Sequence, residues 1–217
     1  PDWSRGLGDV YKRQGTGGDY AAIQVFELPT FEQVGEWHHN MTPMNQQIRI
    51  LQGINKHIHD SILEKDSSAT PQIFYSMENN TIGEAALMRV MDIGEENIVG
   101  MFLSEPIRKG HRRKFRRGFN TTAKHKIDAC TKFKELVEGG KMKINSQLLI
   151  SEMKDFVATG LSYKAKPGQH DDLVMSCLLM TRMMKVLADF DPKIFEKWTD
   201  RSSELTTPMP IFGNFYG

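Results

Sequence analysis

The stretch Gly168-Gln169-His170-Asp171-Asp172-Leu173-Val174-Met175 places two adjacent carboxylates directly before a long apolar run. Apolar residues in that run recur at intervals of three and four, which predicts a helix with one buried face. Asp171 and Asp172 therefore lie in the first helical turn, where the helix dipole and unpaired backbone N–H groups favour an aspartate. The octet alone leaves two interpretations open, a helix cap or a ligand site.

A second acid, Glu78, follows the run Gln72–Met77, which has the composition and length of a buried central strand. A carboxylate at the carboxyl end of a central strand lies where open α/β sheets bind ligands. The structural alternative is a loop glutamate that caps the next helix. Glu78 and the Asp171/Asp172 pair together define a candidate acidic site.

A strongly basic segment separates these acids in the sequence. Residues 108–117 carry seven formal positive charges in ten positions and no acid. A charge run usually forms only a solvated face, but like charges this dense repel one another unless a polyanion balances them. We therefore predict phosphate contacts from this segment and from the start of the next helix. The predicted DNA-binding residues are Lys109, Arg112, Arg113, Lys114, Arg116, Arg117, Lys124 and Lys126.

The composition is that of an ordinary soluble globular protein. The chain has 217 residues, 25% of them charged, and a formal net charge of only +1, so affinity for polyanions must come from local charge. Cys130 and Cys177 lack the spacing of a disulfide framework or a zinc site. No secretory or membrane-spanning segment is visible, and these features fit a reducing cytoplasm.

The order of predicted elements indicates an α/β fold with a mixed sheet and helices on its faces. We predict a hairpin over 21–37, strands over 72–78, 97–103, 141–144 and 160–165, and helices over 43–63, 120–138 and 146–156, with one helix after Gly83 and one from Asp171. Residues 1–14 form an unmatched leader, residues 15–190 the domain, and residues 191–217 a proline-containing tail.

Carboxylates from separate strand and helix ends are the ligand type that magnesium prefers, because it takes oxygen ligands and keeps several waters. Two divalent cations about 3.5–4 Å apart can activate a water and stabilise the leaving oxygen during phosphodiester hydrolysis. We therefore predict that Glu78, Asp171 and Asp172 hold metal ions and that the basic segment holds the DNA backbone against them.

Three motifs in this order resemble the nuclease domain of the large terminase subunit of tailed bacteriophages, of the contractile-tailed type. They are Gly15–Tyr20 before a strand, Tyr75–Gly83 and Gly168–Met175, and residues 121–137 resemble the segment between the last two acidic motifs. The resemblance covers roughly residues 15–190. It assigns Asp19 to the glycine-rich turn, as a further catalytic residue beside Glu78, Asp171 and Asp172.

The resemblance implies a ribonuclease H-like fold and cutting of concatemeric viral DNA at a two-metal site that uses Mg²⁺ or Mn²⁺. It also implies double-stranded DNA, a portal protein, a small terminase subunit and an upstream ATPase domain as partners. The activity would take place in the cytoplasm of an infected bacterium.

The chain departs from the terminase pattern at the first acidic position. The family's first acid stands on the first strand, four residues before the first glycine of the turn, where this chain has Tyr11. The apolar run expected before that position is also missing. We therefore expect residues 1–14 to be foreign to the domain, the first strand to be absent, and DNA cleavage to be impaired.

Two other functions fit the same residues. Another ribonuclease H-like nuclease, such as a resolvase or a transposase-like protein, would share the acids without needing a portal. A non-catalytic DNA-binding module would use the basic segment alone, with the acids as helix caps.

Overall fold

The computed structural model describes residues 5–7, 20–106, 117–160 and 162–199. The strands are β1 (Arg5–Leu7), β2 (Ala21–Glu27), β3 (Glu32–His39), β4 (Gln72–Tyr75), β5 (Met101–Phe102), β6 (Phe156–Thr159) and β7 (Ser162–Ala165). The helices are α1 (Met44–Lys65), α2 (Thr81–Ile93), α3 (Ala123–Glu138), α4 (Gln147–Asp155), α5 (Asp172–Ala188) and α6 (Pro192–Thr199). The predicted mixture of strands and helices is confirmed.

Five strands form one mixed sheet in the order β3-β2-β1-β4-β5. The predicted hairpin pairs β2 with β3 in antiparallel fashion, whereas β4 runs parallel to both β1 and β5. Leu7 in the middle strand pairs with Phe26 on one side and with Phe74 on the other. Strand β1 therefore joins the hairpin to the parallel part of the sheet.

The predicted absence of the first strand is wrong, because β1 lies within the leader and occupies the centre of the sheet. Main-chain pairing explains the difference, since β2 and β4 both offer backbone N–H and C=O groups to the strand between them. A strand of three residues is too short to show an apolar alternation that a sequence pattern could detect. Residues 1–4 and 8–19, which include Tyr11 and Asp19, lie outside the described residues.

Strand β2 separates two apolar cores because its side chains alternate between the faces of the sheet. Ile23 and Val25 belong to the core that includes residues of α1 and α2. Ala22 and Phe26 belong to the opposite core, which is built with α3, α4 and α5. Helices therefore cover both faces of the sheet, as predicted.

Helix α5 is buried on nearly every side. It packs against β2, α3, α4 and α6, and its middle residues are apolar around most of the helix. A helix that is apolar all round is stable only inside a protein. The carboxylates at its start are consequently carried by a well-anchored element.

The strand predicted over 72–78 ends at Tyr75, as β4, and two further predicted strands are also shorter than expected. The strand predicted over 97–103 begins with a 3₁₀ turn at Glu95–Asn97 and is reduced to β5. The strand predicted over 141–144 makes only one isolated bridge, between Lys143 and Glu32. Both segments are short and exposed on one side, so few apolar contacts specify their pairing.

The segment before the Asp171/Asp172 pair is a hairpin, in which β6 pairs with β7. The sequence predicted only its second arm, over 160–165, and assigned Phe156 to the preceding helix. Residues 192–199, within the predicted tail, form α6, whose Ile194 is buried in the core. None of the described helices combines the length and apolar character that crossing a bilayer requires.

Candidate acidic site at the start of helix α5

The Asp171/Asp172 pair lies where α5 begins, and its two side chains have different environments. Asp172 is only 3% exposed, and its Oδ2 accepts a hydrogen bond of 3.2 Å from the backbone N–H of Tyr20. Asp171 occupies the N-cap position, but its side chain makes no capping hydrogen bond. Its Oδ2 instead lies 3.9 Å from Nζ of Lys126. A simple capping role therefore does not account for this pair.

Glu152 on α4 caps α5 in their place. Its Oε2 accepts hydrogen bonds from the backbone N–H groups of Leu173, at 2.8 Å, and Val174, at 3.2 Å. The sequence predicted no role for Glu152. The feature that could have indicated this role is the position of Glu152 on the buried face of α4, beside Leu149 and Met153.

Glu152, Asp171 and Asp172 all lie near the start of α5, and the pKa of Glu152 responds to the charges of the two aspartates. Burial, together with the negative charges of Asp172 and Asp171, raises the pKa of Glu152 to about 7, against the effect of its two backbone donors. The environment therefore resists additional negative charge. A cation bound here would relieve that repulsion.

The free energy of unfolding of the metal-free protein should contain a term from Glu152 that falls as pH rises. Between the ordinary value of 4.5 and the folded value of about 7, the folded protein keeps a proton that the unfolded chain has released. Raising the pH through this window therefore favours unfolding, by on the order of 2–3 kcal/mol.

Urea unfolding in EDTA from pH 5 to pH 8 measures this term as the difference between the chain and Glu152→Gln. Glutamine keeps a hydrogen-bond acceptor but does not titrate, so the variant should gain stability relative to the chain as pH rises. A difference that stays constant with pH would show that Glu152 titrates normally.

An aromatic group lies beside Asp172. The ring of Tyr20 stacks on His38 with centroids 4.1 Å apart and meets the edge of His170 at 4.8 Å. Nδ1 of His170 lies 3.9 Å from Oδ2 of Asp172. Burial, with smaller contributions from His170 and His39, lowers the pKa of His38 to about 4, so His38 is neutral near pH 7. Sequence reasoning assigned no role to these three rings.

Glu78 lies three residues beyond the end of β4, where it makes an isolated bridge with Phe119. Its side chain is buried, and its Oε2 accepts a hydrogen bond of 2.9 Å from Nδ2 of Asn80. Asn80, and not Glu78, caps α2, because its Oδ1 accepts from the backbone N–H of Gly83. A Cβ on residue 83 would lie 1.7 Å from the backbone oxygen of Glu78, so the turn requires glycine there.

The sheet register places Glu78 and Asp172 at the same end of the sheet. Leu7 pairs with Phe26 in β2 and with Phe74 in β4. Strand β2 is antiparallel to β1, so the part of β2 that extends past Leu7 leads back to Tyr20. Strand β4 is parallel to β1, so the chain that extends past Leu7 on that side leads on to Glu78. Tyr20 and Glu78 therefore lie at the same end of the sheet. Asp172 joins this end through its hydrogen bond to the Tyr20 N–H.

Among the described residues, no three His, Cys, Asp or Glu side chains form a group that could hold a metal ion. Glu78 thus shares an end of the sheet with Asp171 and Asp172 without joining them in one cluster, and Asp19 lies outside the description. Magnesium needs only one or two protein carboxylates, because phosphate oxygens and waters complete its shell. The Asp171/Asp172 pair therefore offers the oxygen ligands that a hard divalent cation takes.

Only three of the eight predicted DNA-binding residues belong to the described part of the chain. Lys124 is exposed at the start of α3, as predicted. Arg117 contacts Glu95 and lies over the ring of Phe102, 5.4 Å from its centroid. The residues outside the description are Lys109, Arg112, Arg113, Lys114 and Arg116.

The prediction that Lys126 faces outward is wrong. Its side chain is 16% exposed, pairs with Asp171, and lies 5.3 Å from the centroid of the Phe156 ring. Helical spacing explains this, because Lys126 is one turn before the buried Cys130 and two turns before the buried Phe133. Lys126 therefore belongs to the acidic site.

No protein-family model matches the chain. In fold it is similar to the large terminase nuclease from thermophilic phage G20c, with a TM-score of 0.54, 17% sequence identity, and coverage of 79% of this chain and 77% of that chain. Structures of that nuclease with bound magnesium and with bound cobalt each give a TM-score of 0.52, 17% identity, and coverage of 82% and 81%. The resemblance inferred from the motifs is thus confirmed at the level of the fold.

Proposed function

We propose that the chain is a metal-dependent DNA endonuclease domain of the ribonuclease H-like type, which cuts concatemeric viral DNA as part of a phage packaging terminase. The observation that carries this proposal is the placement of Glu78, Asp171 and Asp172 at one end of a sheet whose fold is shared with a terminase nuclease. That nuclease binds magnesium and cobalt, which matches the carboxylate chemistry found here.

In this proposal each described residue of the site has a distinct task. Asp171 and Asp172 hold Mg²⁺ or Mn²⁺, and Glu78 contributes a further ligand on the side of the sheet. When bound, two such ions supply an activated water and stabilise the leaving oxygen. Glu152 keeps the start of α5 rigid by bonding its first N–H groups, and Lys126 balances the charge of Asp171.

Residues outside the description complete the proposed site. Asp19 in the glycine-rich turn supports metal binding, and the basic segment holds backbone phosphates of double-stranded DNA. Phosphate contacts carry no base information, so the preference for a cleavage sequence should be weak. A portal protein, a small terminase subunit and an upstream ATPase domain are the proposed partners, and the host cytoplasm is the proposed place of action.

Nicking of supercoiled plasmid in Mn²⁺ tests this function. We expect slow nicking by the chain and none by Glu78→Ala or Asp171→Ala, with DNA binding retained in both variants. Asp189→Ala is the matched control, because Asp189 is an exposed aspartate at the other end of α5. Equal behaviour of all four proteins would support a non-catalytic DNA-binding module instead.

A further inference from the structure

Arg182 lies on α5, the helix that carries Asp172, and its side chain contacts residues on either side of the basic segment. Its side chain is 12% exposed, and one guanidinium nitrogen donates to Oε1 of Glu105 at 2.6 Å and to the backbone oxygen of Asn120 at 3.2 Å. The guanidinium also lies over the ring of Phe119, with Cζ 5.1 Å from the centroid. An arginine suits this position because its planar group bonds several acceptors at once, whereas a lysine presents a single point charge.

The partners of Arg182 stand at the two ends of the basic segment. We call the described residues 104–106 and 117–120 the neck. The backbone N–H of Glu105 donates to the oxygen of Gly118 at 3.1 Å, and the N–H of Asn120 donates to Oε2 of Glu105 at 3.4 Å. The two sides of the neck are therefore bonded to each other, and Arg182 bonds to both of them.

The neck is also bonded to the turn that carries Glu78. The backbone N–H of Phe119 donates to the oxygen of Met77 at 3.1 Å, and the N–H of Asn79 donates back to the backbone oxygen of Phe119 at 2.7 Å. Nδ2 of Asn79 donates to the backbone oxygen of Arg117 at 2.8 Å. Glu78 thus lies between two residues whose backbones are both tied to the neck.

We propose that Arg182 is a positioning residue that locks the neck beside Glu78, and so fixes where DNA phosphates lie relative to the acidic site. This inference rests on the proposed function. Direct phosphate contact by Arg182 is the less suitable role, because its guanidinium is nearly buried and already donates to protein acceptors. The neck, in contrast, joins the basic segment at both ends.

Binding of a short duplex across a range of salt concentrations tests the role of Arg182. We expect Arg182→Met and Arg182→Lys to weaken binding by roughly tenfold, the equivalent of one charge-assisted hydrogen bond. The slope of log affinity against log salt should fall by about one for each phosphate that the variant no longer binds. The lysine variant separates geometry from charge, because it keeps the positive charge without the paired hydrogen bonds.

Glu105→Ala gives the sharpest contrast. It removes a negative charge beside the basic segment, so electrostatics alone predicts tighter DNA binding, whereas an unlocked neck predicts weaker binding. Glu64→Ala on α1 is the control for removing an exposed acid. Glu105 is 32% exposed, so its replacement should leave the fold intact. The Glu105→Ala measurement therefore tests the inference even if an Arg182 variant does not fold.

The outcomes separate this inference from the proposed function. Weaker binding and a smaller slope for Glu105→Ala, with Glu64→Ala unchanged or tighter, would support the positioning role. Unchanged or tighter binding by Glu105→Ala, while the chain itself binds DNA, would overturn it and leave the proposed function intact. If the unmodified chain binds no DNA at any salt concentration, both the inference and the proposed function fail.

Discussion

Replacing Tyr11 with aspartate is expected to raise the rate of Mn²⁺-dependent DNA cleavage by roughly 10²–10³-fold, the range for one group that stabilises developing charge. The terminase pattern has its first acid at this position, and the described residues offer no three-ligand cluster without it. Strand β1, at the centre of the sheet, ends at Leu7, four residues before residue 11. Initial rates of plasmid nicking measure the gain.

Two further variants decide whether the gain comes from a new metal ligand. Tyr11→Asn has nearly the same shape as the aspartate variant but carries no charge, so it should show little gain. Adding Asp172→Asn to Tyr11→Asp should remove the gain and leave a rate no higher than that of the unmodified chain. If the unmodified chain nicks DNA as fast as Tyr11→Asp, the first acid is not missing and this explanation is wrong.

Replacing Arg112, Arg113 and Arg116 with glutamine is expected to reduce DNA affinity at low salt by on the order of 10²-fold and the salt slope by about three. Each bound phosphate releases counterions, so the change in slope reports how many phosphates the variant no longer binds. The measurement is duplex binding by fluorescence anisotropy between about 50 and 200 mM salt, the range over which the affinity of phosphate-binding proteins falls steeply.

Arg117→Gln is the matched control for this triple variant. Because the guanidinium of Arg117 already contacts Glu95, it should contribute less than one full phosphate contact to the slope. A triple variant with the same slope as the unmodified chain would remove the basic segment from DNA binding. In that case, the triple variant should also cleave DNA at the same rate as the unmodified chain.

Local patterns predicted the elements that carry the acids. The three- and four-residue spacing after Asp172 predicts α5, and the β-favouring run before Glu78 predicts β4. Both sequence patterns arise because each element buries side chains along its own length. The sequence therefore indicated which elements lead to the carboxylates and where those elements begin, and the motif order indicated the fold.

Tertiary contacts decide what the sequence did not predict. Strand β1 is specified by main-chain pairing with two other strands, and Glu152 has its role only because α4 lies against the start of α5. Arg182 is one residue in a long buried helix, and its partners are distant in sequence. Lys126 was misassigned because a dense set of lysines hid its inward helical phase.

Locating Mn²⁺ by anomalous scattering in a crystal of the chain is the most direct test of a shared acidic metal site. We predict an ion about 2.1 Å from a carboxylate oxygen of Asp171 or Asp172, on the side that faces Glu78. An ion bound elsewhere while both aspartates carry none, or no ion at this end of the sheet at millimolar Mn²⁺, would contradict the account.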